Sequence, residues 1–217
     1  MSDIIVSDVT KSFGREVLHS LSFTVESGDF VSITGESGSG KSTLLGIMGG
    51  VLRPDSGSVT IGGIDIASLS EKELAKMRRT RLGYVYQFFN LIPTMTVREN
   101  ILLPLILDGK KPSLYGQKFD ELIEFTHLGA VVNSYPDTLS GGEQQRAAIL
   151  RALIHDPEVI LLDEPTGNLD SENAGAVMTM LKELNEKYSV TVVQVTHSEQ
   201  GAAYGNRVIH IKDGRLA

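Results

Sequence analysis

The segment Gly35-Glu36-Ser37-Gly38-Ser39-Gly40-Lys41-Ser42 has the spacing G-x-x-x-x-G-K-[S/T] of a phosphate cradle. Glycines at this density let the backbone wrap close to phosphate oxygens. Successive N–H groups at a helix N-terminus then add partial positive charge. Lys41 can reach the outer phosphates, Ser42 can ligate Mg²⁺, and Thr43 completes the candidate phosphate-binding stretch of Gly35, Ser37, Gly38, Ser39, Gly40, Lys41, Ser42 and Thr43. A loop that holds a polyphosphate also needs a metal partner and a group that handles the attacking water. The run Val159-Ile160-Leu161-Leu162-Asp163-Glu164 supplies both in one place. Asp163 can hold the Mg²⁺ shell directly or through water, and Glu164 can orient or deprotonate the nucleophile.

Both groups of residues depend on the elements around them. Phe30-Val31-Ser32-Ile33 reads as a strand leading into the glycine loop, and Leu44, Leu45, Ile47 and Met48 read as a helix that follows it and stops at Gly49-Gly50. Earlier strands are expected at Ile4–Val6 and Val17–Val25, and short β segments at Ser58–Ile61 and Ile64–Ile66. A charged helix over Glu71–Arg81 and a strand over Tyr84–Tyr86 come next, then two helical stretches interrupted by Pro93, Pro104 and Pro112. The β/α pattern resumes with a helix over Gly142–His155, the strand Val159–Leu162, a helix over Glu172–Lys187 and the strand Val190–Val195. The chain ends in a turning edge segment around Asp213-Gly214. Continuous apolar strands separated by helices imply a parallel sheet buried on both faces, and ligands of such sheets sit at the carboxyl ends of the strands.

Composition narrows the function. Among 217 residues, 20 Lys+Arg stand against 27 Asp+Glu, for a net charge of −7. The densest basic cluster, Lys76, Arg78, Arg79 and Arg81, reads as a solvated helix face, so nucleic acid is not an expected partner. There is no cysteine, which excludes disulfides, thiolate metal sites and thiol nucleophiles. Met1-Ser2-Asp3 lacks the basic-then-apolar pattern of a secretory signal, and the longest apolar runs, such as Ile101–Leu107, are core-sized. Work at a membrane would need another chain to span it.

Leu139-Ser140-Gly141-Gly142-Glu143-Gln144-Gln145, between the glycine loop and the Asp163-Glu164 strand, carries a more specific resemblance. With those two motifs it resembles the nucleotide-binding subunits of ABC transporters over essentially the whole chain. The implied fold is an α/β P-loop NTPase of ABC type, with a mainly parallel sheet core, an N-terminal antiparallel β subdomain and an inserted α-helical subdomain. The implied division of this single domain (1–217) is an ATP-binding core with the β subdomain over 1–87 and 157–217, and a helical signature subdomain over about 88–156. The resemblance assigns Phe13 to adenine stacking, where tyrosine is commoner, and Gln87 to sensing Mg²⁺ and the γ-phosphate. It assigns His197 to the γ-phosphate and Asn168-Leu169-Asp170 to a loop that crosses to a second subunit. Glu164, His197 and Gln87 are thus the implied catalytic set, and Ser42, Gln87 and Asp163 the implied metal set.

Leu139, Ser140, Gly141, Gly142 and Glu143 would serve a second subunit's ATP, since in the family two chains pack head to tail around two nucleotides. A homodimer formed on ATP binding, integral-membrane permease chains as partners, and a peripheral place on the cytoplasmic face of the cell membrane follow from the resemblance. Gln87-Phe88-Phe89-Asn90-Leu91-Ile92-Pro93, Thr96–Asn100 and Thr166–Asp170 are similar to the MacB/LolD/FtsE-like branch, which implies export or extraction of peptides, lipoproteins or drugs. The alternative is an FtsE-like ATPase that passes force to its membrane partner without transport. About 100 residues separate Lys41 from Ser140, too few for the coiled-coil arm of DNA-repair relatives.

Overall fold

The computed structural model describes residues 3–217, so Met1 and Ser2, part of the segment read for a secretory signal, lie outside the described residues. β1 (Ile4–Phe13) and β2 (Arg15–Val25) form an antiparallel hairpin closed at Gly14. β3 (Phe30–Thr34) enters a second sheet and leads into α1 (Lys41–Met48). β4 (Ser56–Ile61) and β5 (Ile64–Asp65) then return to the hairpin, giving the antiparallel order β2-β1-β4-β5. The remaining elements are α2 (Glu71–Thr80), β6 (Leu82–Val85), α3 (Val97–Leu107), α4 (Gly116–Phe125), α5 (Gly141–Leu153), β7 (Val159–Asp163), α6 (Ser171–Tyr188), β8 (Thr191–Val195), α7 (Glu199–Ala202), β9 (Arg207–Lys212) and β10 (Arg215–Leu216). The second sheet has the order β10-β9-β3-β8-β7-β6. It is parallel throughout except for β10, which folds back at the edge.

The apolar runs of β3, β7 and β8 are buried on both faces because alternate residues feed two separate cores. Val159 and Leu161 point to the core that holds α1 and the antiparallel sheet, with Leu44, Leu45, Ile47 and Met48. Ile160 and Leu162 point to the other, built with α3, α4, α5 and α6. The sheet is therefore a rigid central layer, and no helix among the described residues is long and apolar enough to cross a membrane.

Several local expectations are corrected. Pro104 does not interrupt a helix; it lies inside α3. Val97, Ile101 and Leu105 form one buried stripe at i, i+4 and i+8, and that burial together with the Thr96/Glu99 capping box offsets the lost backbone bond. The strand expected at Tyr84–Tyr86 starts earlier, at Leu82, because β7 sets its register from Leu82↔Val159. Gly83 allows this approach, since a Cβ there would lie 2.4 Å from the Ala152 carbonyl oxygen. Ile66 turns out of β5 into a short 3-10 helix whose cap is the Asp65 carboxylate. α5 begins one residue earlier than expected because Ser140 is its N-cap.

His155, just beyond α5, is 5% exposed, and its Nε2 lies 3.1 Å from the Leu82 carbonyl oxygen. Burial pushes its pKa down to about 4, with the Lys118 and Lys110 charges adding to the effect. The unfolded chain takes up a proton near pH 6.5 that the folded chain refuses until about pH 4, so stability is lost as pH falls through that window. Urea denaturation is expected to show about 2 kcal/mol lost from this group between pH 7.5 and pH 5. In a His155→Gln protein that component should vanish; an unchanged pH slope would contradict the assignment.

Candidate functional site

Parallel register brings the ends of four strands to one edge. Ile33 pairs with Val195, Val195 with Asp163, and Leu162 with Val85. The residues that follow, Gly35, His197, Glu164 and Gln87, therefore emerge side by side at the carboxyl edge of the sheet. They surround an open cleft of ≈ 570 Å³ lined by Arg15, Val17, Ser37, Gly38, Gly40, Lys41, Ser42, Thr43, Gln87, Glu164 and His197.

Two glycines of the cradle are required by space. A Cβ on Gly35 would lie 2.0 Å from the Ile211 carbonyl oxygen, and one on Gly40 would lie 2.5 Å from Leu18 Cδ2; both have positive φ. Gly40 is the N-cap of α1, which has no side-chain cap and no acid in its first turn, so its terminal N–H groups face the cleft without a competing anion. The Lys41 ammonium is drawn back over the loop and donates to the Gly35 and Glu36 carbonyl oxygens, each at 2.8 Å. Ser39 is buried, and its hydroxyl has no partner among the described residues.

Asp163 closes β7, and its Oδ1 accepts from the Ser42 hydroxyl at 3.0 Å. Burial raises its pKa, and the neighbouring Glu164 carboxylate adds to that, while the Ser42 bond and the Lys41 charge oppose it. Glu164 has φ 47, a left-handed conformation that costs a non-glycine residue about 1 kcal/mol or more. The turn is held from behind by the Glu164 N–H donating to the Val195 carbonyl at 3.0 Å. Its Oε2 accepts the backbone N–H of His197 at 3.3 Å and lies 3.0 Å from His197 Nδ1. Carboxylate and imidazole are thus a contact pair at the cleft wall. The Gln87 carbonyl oxygen accepts from Asn168 Nδ2 at 2.7 Å, which ties the expected crossing loop to the strand that delivers Gln87.

Phe13 stands at the end of β1, 56% exposed, and does not line the cleft; Arg15, its partner across the Gly14 turn, does. Lys11 Nζ lies 5.4 Å from the centre of the Phe13 ring. Leu139, Ser140, Gly141, Gly142 and Glu143 are also outside the cleft. They form the N-terminus of α5, where the Ser140 hydroxyl and the Glu143 carboxylate make a reciprocal capping box. Gly141 and Gly142 are closely packed: a Cβ would lie 3.2 Å from Leu169 Cδ2 in the first case and 2.7 Å from Asn173 Oδ1 in the second, so either side chain would have to shift. Asp170 caps α6 by accepting from Asn173, and Gly141 and Gly142 lie close to Leu169 and Asn173 of this segment.

Sequence reasoning missed Arg15, Val17, Asn100 and Arg151. Arg15 was legible as the residue that a tight Phe13-Gly14-Arg15 turn must pair with Phe13. Of the other two polar groups, buried Asn100 acts locally, bonding Ile92, Met95 and Thr96, whereas Arg151 acts across the fold, bonding Phe89 and Asn90.

With this geometry in place, comparison with known proteins is direct. Residues 18–167 match the family model described as ABC transporter. The bacitracin export ATP-binding protein BceA of Halalkalibacterium halodurans is 42% identical over 100% of this chain and 87% of that protein. The lipoprotein-releasing system ATP-binding protein LolD of Alcanivorax borkumensis is 44% identical over 93% of this chain and 78% of that protein. Among solved structures, the dimeric post-hydrolysis state of the ATP-binding cassette MJ0796 bound to ADP and Pi superposes with a TM-score of 0.89. The two share 40% identity, covering 98% of this chain and 96% of that one. A strand-edge cradle, an acid pair beside it and a separate serine-capped helix opening on Gly141-Gly142, in a chain alike from end to end, establish that the protein belongs to the ABC transporter family as one of its ATP-hydrolysing, ATP-binding subunits.

Proposed function

We propose that this chain is the motor of a membrane export or extraction complex for amphiphilic substrates such as peptides, lipoproteins or drugs, and that it works as a homodimer closed by ATP. One observation carries the reading: the cleft and the signature segment stand apart in the single chain. Lys41, Ser42, Gln87, Glu164 and His197 line the cleft, whereas Ser140-Gly141-Gly142 presents a helix N-terminus outside it. Two copies packed head to tail would bring that positive helix end to the outer phosphate of the other copy's ATP. The MJ0796 cassette in its dimeric form supports this reading, and the bacitracin and lipoprotein functions of BceA and LolD support the substrate class.

In this account Lys41 exchanges its two carbonyl partners for the outer phosphates, and the buried Ser39 hydroxyl gains the partner it lacks. Glu164, fixed by His197, accepts the proton of the attacking water, and His197 holds the γ-phosphate. A hydroxyl, a carboxylate and an amide, from Ser42, Asp163 and Gln87, are hard oxygen donors suited to Mg²⁺, with nucleotide and water completing the shell. When bound, Mg²⁺ neutralises charge on the phosphate oxygens. Phe13 remains our candidate for the adenine face, with Arg15 beside it.

Residues 88–156 are proposed as the lobe that engages the membrane chains at the cytoplasmic face of the membrane. Phe88 and Leu114 are 72% and 78% exposed there, with Ile106 and Leu107 also exposed, an apolar set suited to a partner's helix.

Glu164→Gln is expected to bind ATP within a few-fold of the parent while turnover falls by roughly 10² to 10⁴; near-parental turnover would remove Glu164 from the catalytic role. Ser140→Arg should keep equilibrium ATP binding by the single chain yet abolish turnover by blocking closure. Normal hydrolysis by that protein would contradict the shared site.

A further inference from the structure

The loop that carries Gln87 is strained at Phe89, a residue type that does not favour the left-handed conformation as Asn90 does. Phe89 and Asn90 have φ 60 and 49, consecutive left-handed residues neither of which is glycine. The Asn90 N–H bonds the Phe88 carbonyl at 2.5 Å, a three-residue turn of the rare, costly kind. The carbonyl oxygens of Phe89 and Asn90 are gathered by one guanidinium: Arg151 Nη2 donates to Phe89 at 2.7 Å and Nη1 to Asn90 at 2.6 Å. Arg151 lies in the last turn of α5, the helix whose first turn holds Ser140-Gly141-Gly142. Among the described residues no carboxylate pairs with it. A partly buried cation satisfied only by two backbone carbonyls is a costly arrangement for a surface loop, and it makes those carbonyls its obligatory partners.

We propose that Arg151 is a positioning residue for Gln87: its fork holds the Phe89–Asn90 turn so that Gln87 faces the nucleotide, and makes the Gln87 loop travel with the signature helix. From the other side, Asn168 holds the Gln87 carbonyl, so the loop is clamped between α5 and the segment before α6. A movement of α5 against the core, as a second subunit engages its N-terminus, therefore pulls Gln87 into or out of the cleft. The proposal rests on the reading of Gln87 as a cleft residue that serves hydrolysis.

The test compares steady-state ATP hydrolysis by Arg151→Met, Arg151→Lys and Gln87→Ala with that of the parent, across ATP and Mg²⁺ titrations, with thermal melting to verify folding. Arg151→Met is expected to keep KM for ATP within about 2-fold of the parent, lose at least 10-fold in kcat, and need more Mg²⁺ for half-maximal rate. Arg151→Lys, with the charge but not the fork, should fall between the two. Parental kcat and Mg²⁺ dependence in Arg151→Met would overturn the proposal, as would a loss of kcat matched by an equal rise in KM. If Arg151→Met does not fold, Arg151→Lys decides alone: reduced kcat at unchanged KM supports the role, and parental kcat overturns it. Gln87→Ala separates the two claims. Parental behaviour there defeats the Gln87 reading and the tether with it, whereas a slow Gln87→Ala beside a normal Arg151→Met defeats only the tether.

Discussion

The carboxyl edge of a parallel sheet is where this molecule gathers its chemistry, and the register of β3, β8, β7 and β6 is the constraint on which the rest depends. Because Ile33, Val195 and Asp163 stand in line across neighbouring strands, four loops with no sequence proximity open into one cleft. The strands can be held in that line because both faces are buried, each by its own apolar core, so the loops at their ends rest on a layer with little freedom to shift. Strain is then tolerable at the edge. Glu164 adopts a left-handed conformation beside the cleft because Val195 fixes its amide and His197 its carboxylate.

How much of this was legible in the sequence depends on the range of each interaction. The phosphate cradle and Asp163-Glu164 could be read directly, since spacing, strand and helix context are local. Gln87 and His197 could not be derived from residue type, and only the family resemblance singled them out. Arg151 was invisible because its partners lie far along the chain, and Asn100 because its nearby partners at Ile92, Met95 and Thr96 are backbone atoms, which carry no residue signature. The antiparallel β subdomain and helical insertion were recognised, but β1 runs to Phe13 through register shifts that alternating polarity does not reveal. Pro104 misled for the opposite reason: its intrinsic preference was read correctly, and tertiary packing on α5 overrode it. Three S/T-x-x-E capping boxes, at Ser70/Glu73, Thr96/Glu99 and Ser140/Glu143, were present in the sequence and would have fixed three helix starts.

The same geometry explains why a single chain looks incomplete. Lys41 rests on its own loop, while Ser140 rests on Glu143, so the two halves of the proposed phosphate site are each satisfied internally and separately. On the proposed reading, triphosphate charge would offer both a better partner, with two chains presenting both to one nucleotide. In the proposed homodimer, closure would follow from electrostatics, and removal of the outer phosphate would withdraw the bridge.

The most direct test of that central claim is the solution mass of the Glu164→Gln protein, measured by light scattering with and without Mg-ATP. The account predicts a 23.5 kDa monomer that doubles in mass only when Mg-ATP is present. A protein saturated with ATP that stays at the monomer mass would contradict a site completed by a second copy of this chain.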